Sequence, residues 1–393
     1  MTTDRSRPDV RFVHSADWQL GMTRHFLGAE SQAVFASDRL AAVSALADLA
    51  TEYDARFVVV AGDAFEHNAV PRREVLRAAE ALSGFPVPVV ILPGNHDPLD
   101  VSSVLRHPDF AAATSGGPVR VVDGPEPLEV VPGVEVVGVP WTSKRPDPSR
   151  LATLLDALEP TDGLRILLAH GSTDEVYGGS SPSVEAIPVA RLEAAVTAGL
   201  VDYVALGDRH SVTRVGSGDR IWYSGSPEAT DFDDVEDDSG HALLVRLAGR
   251  AADGGTCEVT PQRTGRWSFR TLHAVIETDG DMDALVERVE EAPDKVRTVL
   301  RLGLTGAVGV ALRARIDSCL ERWSELFASA RVWERNTHLV VRPEDADFSG
   351  LVGGYAGRAV EDLRELAASS DPAAEDAGNA LGLLYRLAGE DAR

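Results

Sequence analysis

Cysteine, lysine and long apolar runs are all scarce in this sequence, and each scarcity closes off a class of protein. The two cysteines, Cys257 and Cys319, lie far apart and in no metal-binding spacing, which argues against a disulfide framework. No apolar run approaches the ~20 residues of a membrane-spanning helix. The opening residues, MTTDRSRPDV, are polar and lack the apolar core of a signal peptide, so a cytoplasmic protein without membrane association is the simplest reading. Basic residues are also few: 38 against 62 acidic ones, a formal charge of −24. Unspecific affinity for phosphate backbones needs the opposite sign. Two readings follow: a local basic surface with nucleic acid gripped largely by a partner, or a substrate other than nucleic acid. Lysine occurs only at positions 144 and 295, so nearly all positive charge is arginine, a pattern that with abundant Ala, Gly and Asp suggests GC-rich coding as much as function.

What remains is the composition of a globular protein, 44% hydrophobic and 25% charged, on a chain of 393 residues that is long enough for two or three domains. From Val10 to about Leu247, short β-rich apolar runs (RFVVVAG, VPVVILPG, VEVVGVPW, RILLAHG, VDYVALG, RIWYSGSP, HALLVRL) alternate with helical spacing at 37–49, 72–82 and 190–198. This predicts an α/β domain with helices outside its sheets. The acidic stretch 231–240 reads as a solvated loop with no binding role. From about Arg266 the pattern changes to a smaller α+β domain, with strands at 267–277, 298–304 and 330–341 and a helix at 308–328. Two short amphipathic helices, about 354–367 and 373–388, end the chain.

Polar residues fall where the apolar runs stop. Asp17 follows the first run and Asp63 the second, Asn95-His96-Asp97 follow the third, and His170, then Asp208 and His210, follow later ones. One aspartate after a strand is usually a turn or cap residue. Five such loops converging would form a two-metal site, with one cation holding a phosphate and the other activating water, and Asp63 is the natural bridge.

The motifs HSADWQLG, VVVAGDAFE, ILPGNHDP, ILLAHG and ALGDRHS, in that order, resemble the signature of the calcineurin-like metallophosphoesterases. SADWQLG with the following RHF, GDAFE, LPGNHDP and RIWYSGSPE are most similar to SbcD-type DNA repair exonuclease subunits and their archaeal and eukaryotic counterparts. The resemblance covers residues 10–247 well and continues more loosely beyond. It implies a four-layer αββα sandwich (1–262), a small α+β capping domain (266–345) and a C-terminal helical segment (346–393) that contacts an SMC-like ATPase partner. It also implies a homodimer and DNA as substrate, cleaved as 3'-5' exonuclease or structure-dependent endonuclease. One metal would be held by Asp17, Gln19, Asp63 and His210, the other by Asp63, Asn95, His170 and Asp208. His96 would be the catalytic histidine, protonating the leaving oxygen or stabilising the transition state, and Asp97 would orient its turn.

Two positions depart from that pattern. Gln19 stands where the family has histidine in D-x-H, and Asp208 where it has the first histidine of GH-x-H. Each metal exchanges an imidazole for an oxygen donor, and three carboxylates replace two, so two divalent cations would leave a formal +1. An oxygen-rich set suits Mn²⁺ or Mg²⁺ better than Zn²⁺, and Mn²⁺ is the expected cofactor. Candidates for gripping substrate are Arg209 above all, then Arg24, His25, Arg72, Arg73, Lys144 and Arg145. Trp18 is either a core residue or a base-stacking platform. Two other functions stay open: a small-molecule or protein phosphoesterase, and a scaffold subunit with a weakened site.

Overall fold

The computed structural model describes residues 9–145, 147, 149–175, 186–341, 354–369 and 371–390. The first residues of the N-terminal reading (1–8) and of the C-terminal segment (346–353) lie outside these. The chain divides into two compact units, one of Met1–Arg24, Gln32–Asp231 and Val235–Trp267, the other of His25–Ser31, Phe232–Asp234 and Ser268–Arg393.

In the first unit the elements run β1 (Asp9–Ser15), α1 (Ala29–Glu52), β2 (Val58–Val60), α2 (Arg72–Ser83), β3 (Val89–Ile91), α3 (Pro108–Thr114) and β4 (Val119–Val121). They continue with β5 (Leu128–Val131), β6 (Val134–Gly138), α4 (Ser149–Ala157), β7 (Leu164–His170), α5 (Val189–Thr197) and β8 (Tyr203–Gly207). The last four are β9 (Thr213–Arg214), β10 (Ile221–Tyr223), β11 (His241–Ala248) and β12 (Thr256–Arg263). Two six-stranded mixed sheets result, in the orders β12-β11-β1-β2-β3-β4 and β5-β6-β7-β8-β10-β9. The strands β1 to β4 are mutually parallel, as are β6, β7, β8 and β10.

Strand alternation sorts side chains between layers. Val58 and Val60 pack with Val43 and Leu46 of α1 and with Val75 and Leu82 of α2. Phe57 and Val59 point the other way, into a core shared with Val136, Ile166 and Tyr203 of the second sheet. On that sheet's far face Leu167 and Val204 meet Leu154 of α4 and Leu192 of α5. The layers are therefore helix, sheet, sheet, helix, as expected. α2 illustrates the helical side: Val75, Ala78, Ala79 and Leu82 repeat at helical spacing and are all buried. The predicted helix at 37–49 is longer, 29–52, because its apolar face continues through Phe35 and Ala50.

Between the sheets lies His14 of β1, fully buried. Its Nδ1 accepts from the Tyr203 hydroxyl at 3.1 Å and its Nε2 donates to the Leu206 carbonyl at 3.2 Å, which is the neutral tautomer. Burial depresses its pKa from 6.5 to about 3, against the opposing carbonyl bond. Unfolded chains protonate this imidazole below pH 6.5 while the native state does not, so native stability falls as the pH drops from 6.5 toward 3. By pH 5 the loss is about 2 kcal/mol. Urea midpoints measured with chelator at pH 7 and pH 5 should fall further for the wild type than for His14→Gln. Equal falls would mean that His14 does not titrate with unfolding.

The second unit holds β13 (Ser268–Val275), α6 (Asp279–Glu290), β14 (Thr298–Val308), α7 (Val310–Leu326), β15 (Ser329–Val332), β16 (His338–Val341), α8 (Gly354–Ala367) and α9 (Ala374–Glu390). The long β14 pairs in parallel with β13 on one side and with both β15 and β16 on the other. The single strand expected at 330–341 is thus two, broken by a turn at Glu334–Asn336. Helix α6 is additional to the elements that the sequence predicts. Thr278 caps it reciprocally with Asp281, and Met282, Leu285 and Val289 form its buried face. No helix among the described residues is long and apolar enough to cross a membrane.

Candidate metal centre

The polar residues after the apolar runs do sit at the ends of strands. Asp17 and Gln19 follow β1, Asp63 follows β2, Asn95 to Asp97 follow β3, His170 ends β7, and Asp208 to His210 follow β8. The first two loops are laced together: Asp17 N–H donates to Gly62 O at 3.0 Å, Gln19 N–H to Asp63 O at 2.9 Å and Leu20 N–H to Ala64 O at 3.0 Å. Asp17, Gln19, Asp63 and Asp208 all have positive φ, at 54°, 44°, 53° and 101°. Non-glycine residues rarely adopt that backbone, and strained positions of this kind gather at functional sites.

Asp17, Asp63 and His170 are buried and bring one ligand atom each within 4.8 Å of the others. Asp63 Oδ2 lies 3.3 Å from His170 Nε2, and Asp63 Oδ1 accepts the His96 N–H at 2.9 Å. His170 Nδ1 donates to Ala61 O at 2.8 Å, which aims Nε2 at the cluster, where Asn95 Oδ1 sits 2.7 Å away. The backbone leaves no slack around this pair. A Cβ on Gly94 would stand 2.1 Å from Asp63 Oδ1, and one on Gly62 2.1 Å from His170 Nδ1.

Charge is concentrated here. Burial raises Asp17 to about 6, with His210 and His170 pulling the other way. His170 is itself raised well above 6.5: burial opposes this, but Asp63 and then Asp17 and Asp208 outweigh it. Burial raises Asp97 to about 7, with Asp63 adding to it. Protons are held where like charges meet, and a divalent cation would displace them from Asp17 and His170. Gln19 Oε1 gives an independent test of fit, being buried without a hydrogen-bond donor. An acceptor so placed is costly unless a cation or donor meets it. Together with the Asp17 and Asp63 carboxylates and the Asn95 oxygen, it offers a donor set suited to hard divalent ions.

His210 lies on the other flank, its Nε2 4.0 Å from Asp17 Oδ1 and 3.3 Å from Gln19 Nε2. Asp208 donates its N–H to both Asp17 oxygens at 3.1 Å, while its exposed side chain stays outside the tight three-residue cluster. His96 donates from Nδ1 to Glu66 O at 2.8 Å, leaving Nε2 4.0 Å from Asp63 Oδ2. Asp97 is fully buried and clamps its turn by accepting from Gly94 N–H at 2.8 Å and Phe65 N–H at 3.0 Å.

The stretch 231–240 is not merely a solvated loop: Asp233, Asp234, Asp237 and Asp238 are exposed, but Glu236 is buried and its Oε1 lies 2.6 Å from His210 Nδ1. Glu236 also accepts from the Thr230 hydroxyl and from the N–H groups of Thr230 and Asp231. Burial raises a carboxyl, yet His210 takes Glu236 down to about 2, and Glu236 takes His210 up to about 9 against its own burial. A second unforeseen residue is Arg39 of α1, buried, donating to Trp18 O at 2.6 Å and to Ala229 O at 3.3 Å. It ties the Asp17–Gln19 loop to the loop that leads to Glu236.

The expected substrate contacts are more dispersed. Trp18 is a core residue, with Nε1 bonded to Ser15 Oγ at 2.9 Å. Arg72 is committed to Asp109 through two bonds and Arg73 to Glu74. Arg24 donates to Thr230 O, and the exposed His25 belongs to the second unit. Arg209 bonds Thr213 through Nε at 2.7 Å, and Lys144 and Arg145 are exposed.

A family model described as calcineurin-like phosphoesterase matches residues 10–212, more than half of the chain. The DNA double-strand break repair protein Mre11 of Archaeoglobus fulgidus is 29% identical over 189 residues, 42% of this chain but only 40% of that protein's length. The solved structure of TT1561 of Thermus thermophilus aligns with a TM-score of 0.41 at 15% identity, over 65% of this chain and 99% of its own. On the family match, and with a cluster of carboxylates and histidine at the strand ends, this chain belongs to the calcineurin-like phosphoesterases, a family of metal-binding hydrolases.

Proposed function

We propose that the chain is a metal-dependent DNA nuclease, hydrolysing phosphodiester bonds as an exonuclease, a structure-dependent endonuclease or both, together with an SMC-like ATPase. The observation that carries this is the convergence of Asp17, Asp63, Asn95 and His170 with the unpartnered oxygen of Gln19. Partial similarity to a break-repair protein supports DNA as the substrate. One cation would be held by Asp17, Gln19, Asp63 and His210, the other by Asp63, Asn95, His170 and Asp208. When bound, such ions polarise a phosphate and lower the pKa of a water.

The remaining work falls to the protein. The His96 ring is oriented by its bond to Glu66 O, so Nε2 is the atom that would give a proton to the leaving oxygen. Asp97 holds that turn, and Arg209 would meet a phosphate with the guanidinium nitrogens that Thr213 does not engage. Residues 266–345 would serve as a platform for DNA and the C-terminal helices as the ATPase contact, with dimerisation adding a second copy. The acidic total charge is then offset by a partner's grip.

The test is cleavage of linear duplex DNA, an aryl phosphodiester and an aryl phosphomonoester, each with Mn²⁺, Mg²⁺ or Zn²⁺. Mn²⁺ should support the highest rate, and diester should be preferred to monoester. Full activity with Zn²⁺ alone would contradict the oxygen-donor argument, monoester preference would indicate a phosphatase, and metal binding without turnover would indicate a scaffold.

A further inference from the structure

A cleft of about 420 Å³ adjoins the candidate metal centre, sharing Asn95, His170 and Asp208 with it among its lining residues. Its volume is in the range of small-ligand sites. Trp141, Ile187 and Pro188 are among its apolar lining residues, and Arg145 also lines it. Trp141 is only half-buried, yet it is anchored on every polar atom. Its N–H donates to Pro93 O at 3.2 Å, its carbonyl accepts from Leu99 N–H at 2.7 Å, and its Nε1 donates to His170 O at 2.9 Å. Arg150 fastens the same loop through Pro140 O at 2.8 Å. The indole stands edge-on to the His170 ring, with centroids 6.1 Å apart and planes at 84°. The cleft floor is bare at Gly171, where the first carbon of a side chain would already touch Ile187 Cδ1 at 3.6 Å and Trp141 Cζ2 at 3.9 Å.

A rigid aromatic surface, partly open to solvent and fixed to a candidate metal-binding histidine, is a platform for a planar ring held next to the phosphate. Arg145 is exposed and has no carboxylate partner among the described residues. Asp147, the nearest acid along the chain, accepts from Ser149 N–H and Oγ instead.

We propose that this cleft is a nucleoside subsite, in which one base of a nucleotide phosphodiester packs on Trp141 toward Ile187 while Arg145 meets a neighbouring phosphate. The inference rests on reading the adjoining centre as a phosphodiesterase, and it assigns selection of nucleotidic diesters over other diesters to Trp141 and Arg145.

Binding of thymidine 5'-monophosphate and of methyl phosphate to the full chain, by calorimetry, tests it without relying on turnover. The nucleotide should bind about tenfold tighter or more, as base stacking on an aromatic side chain implies. Trp141→Ala should erase that difference and Trp141→Phe should keep most of it, while Arg145→Ala, at an exposed position, should reduce affinity for the dinucleotide pTpT more than for the mononucleotide. Equal binding of the two phosphates by the wild type would overturn the subsite, as would a Trp141→Ala protein that is folded by circular dichroism and retains the preference. Hydrolysis of bis(p-nitrophenyl) phosphate is measured in parallel. Turnover without nucleoside preference would sink the subsite and leave the phosphodiesterase standing. Nucleoside-dependent binding without turnover would support the subsite and remove the catalytic reading.

Discussion

Asp63→Asn is expected to lower metal-dependent phosphodiester hydrolysis about a thousandfold or more, corresponding to the several kcal/mol that cation stabilisation supplies to such transition states. The same change should leave the fold in place, because asparagine reproduces most of what the backbone asks of this position. It tolerates the left-handed conformation that Asp63 adopts at φ 53°, and its Oδ1 can still accept the His96 N–H. What it cannot supply is the second charged oxygen, now 3.3 Å from His170 Nε2. An amide nitrogen there would face the imidazole with a donor and leave the proposed bridge with one ligand oxygen. Alanine is the poorer test, since in this backbone region it adds strain of roughly 1–2 kcal/mol to the loss of charge. Manganese content after dialysis and thermal melting should be read together with the rate. Loss of metal with an unchanged melt supports the bridging role; a variant that keeps more than about a tenth of the wild-type rate, against the thousandfold expected from metal catalysis, would exclude it.

The strand-end placement of these groups was legible because short apolar runs followed by Asp, Gly-Asp or Gly-Asn-His-Asp leave few other structures open. Parallel strands such as β1, β2 and β3 deliver their following loops to the same edge of the sheet, so order along the chain becomes proximity in space. The runs themselves show only strands buried on both faces, as Val58, Val59 and Val60 are, while the two-sheet core is implied by the family resemblance. Other features are set by long-range geometry that periodicity does not encode. The break between β15 and β16 falls on Glu334–Asn336, poor β-formers between two β-rich segments, and is held by a turn after Trp333 and by the Thr337 hydroxyl accepting from Leu304 N–H at 3.1 Å. Arg39 reads as an ordinary helix residue until the Trp18 and Ala229 carbonyls close on it. The positive φ values are only faintly marked in side-chain type: aspartate at 17, 63 and 208 tolerates that backbone and glycine precedes Asp63 and Asp208, but Gln19 gives no such signal.

Glu236 is the instructive omission, and it yields the second large effect. Within an acidic run nothing distinguishes one carboxylate from its neighbours; burial does, through two backbone N–H groups and a hydroxyl that converge on this side chain alone. Its bond to His210 Nδ1 fixes the ring so that Nε2 faces Asp17 and Gln19. Removing the partner of a metal-binding histidine typically weakens metal affinity or activity about 10–100-fold. Glu236→Ala should therefore weaken Mn²⁺ binding by that order, read by calorimetry or by the signal of free Mn²⁺ in electron paramagnetic resonance. Glu236→Gln should also fall short of wild type, because whichever way its amide turns, its nitrogen meets either His210 or the two N–H groups that now donate to Oε2. Each variant leaves at least one buried partner of Glu236 badly paired, so some loss of thermal stability is expected regardless, roughly 1–3 kcal/mol for a buried donor left unpaired. The discriminating readout is metal affinity measured at a temperature where each variant is folded. A destabilised protein that binds Mn²⁺ as tightly as the wild type would make Glu236 a loop anchor, whereas weakened binding in a folded variant would show that it positions His210 for the metal.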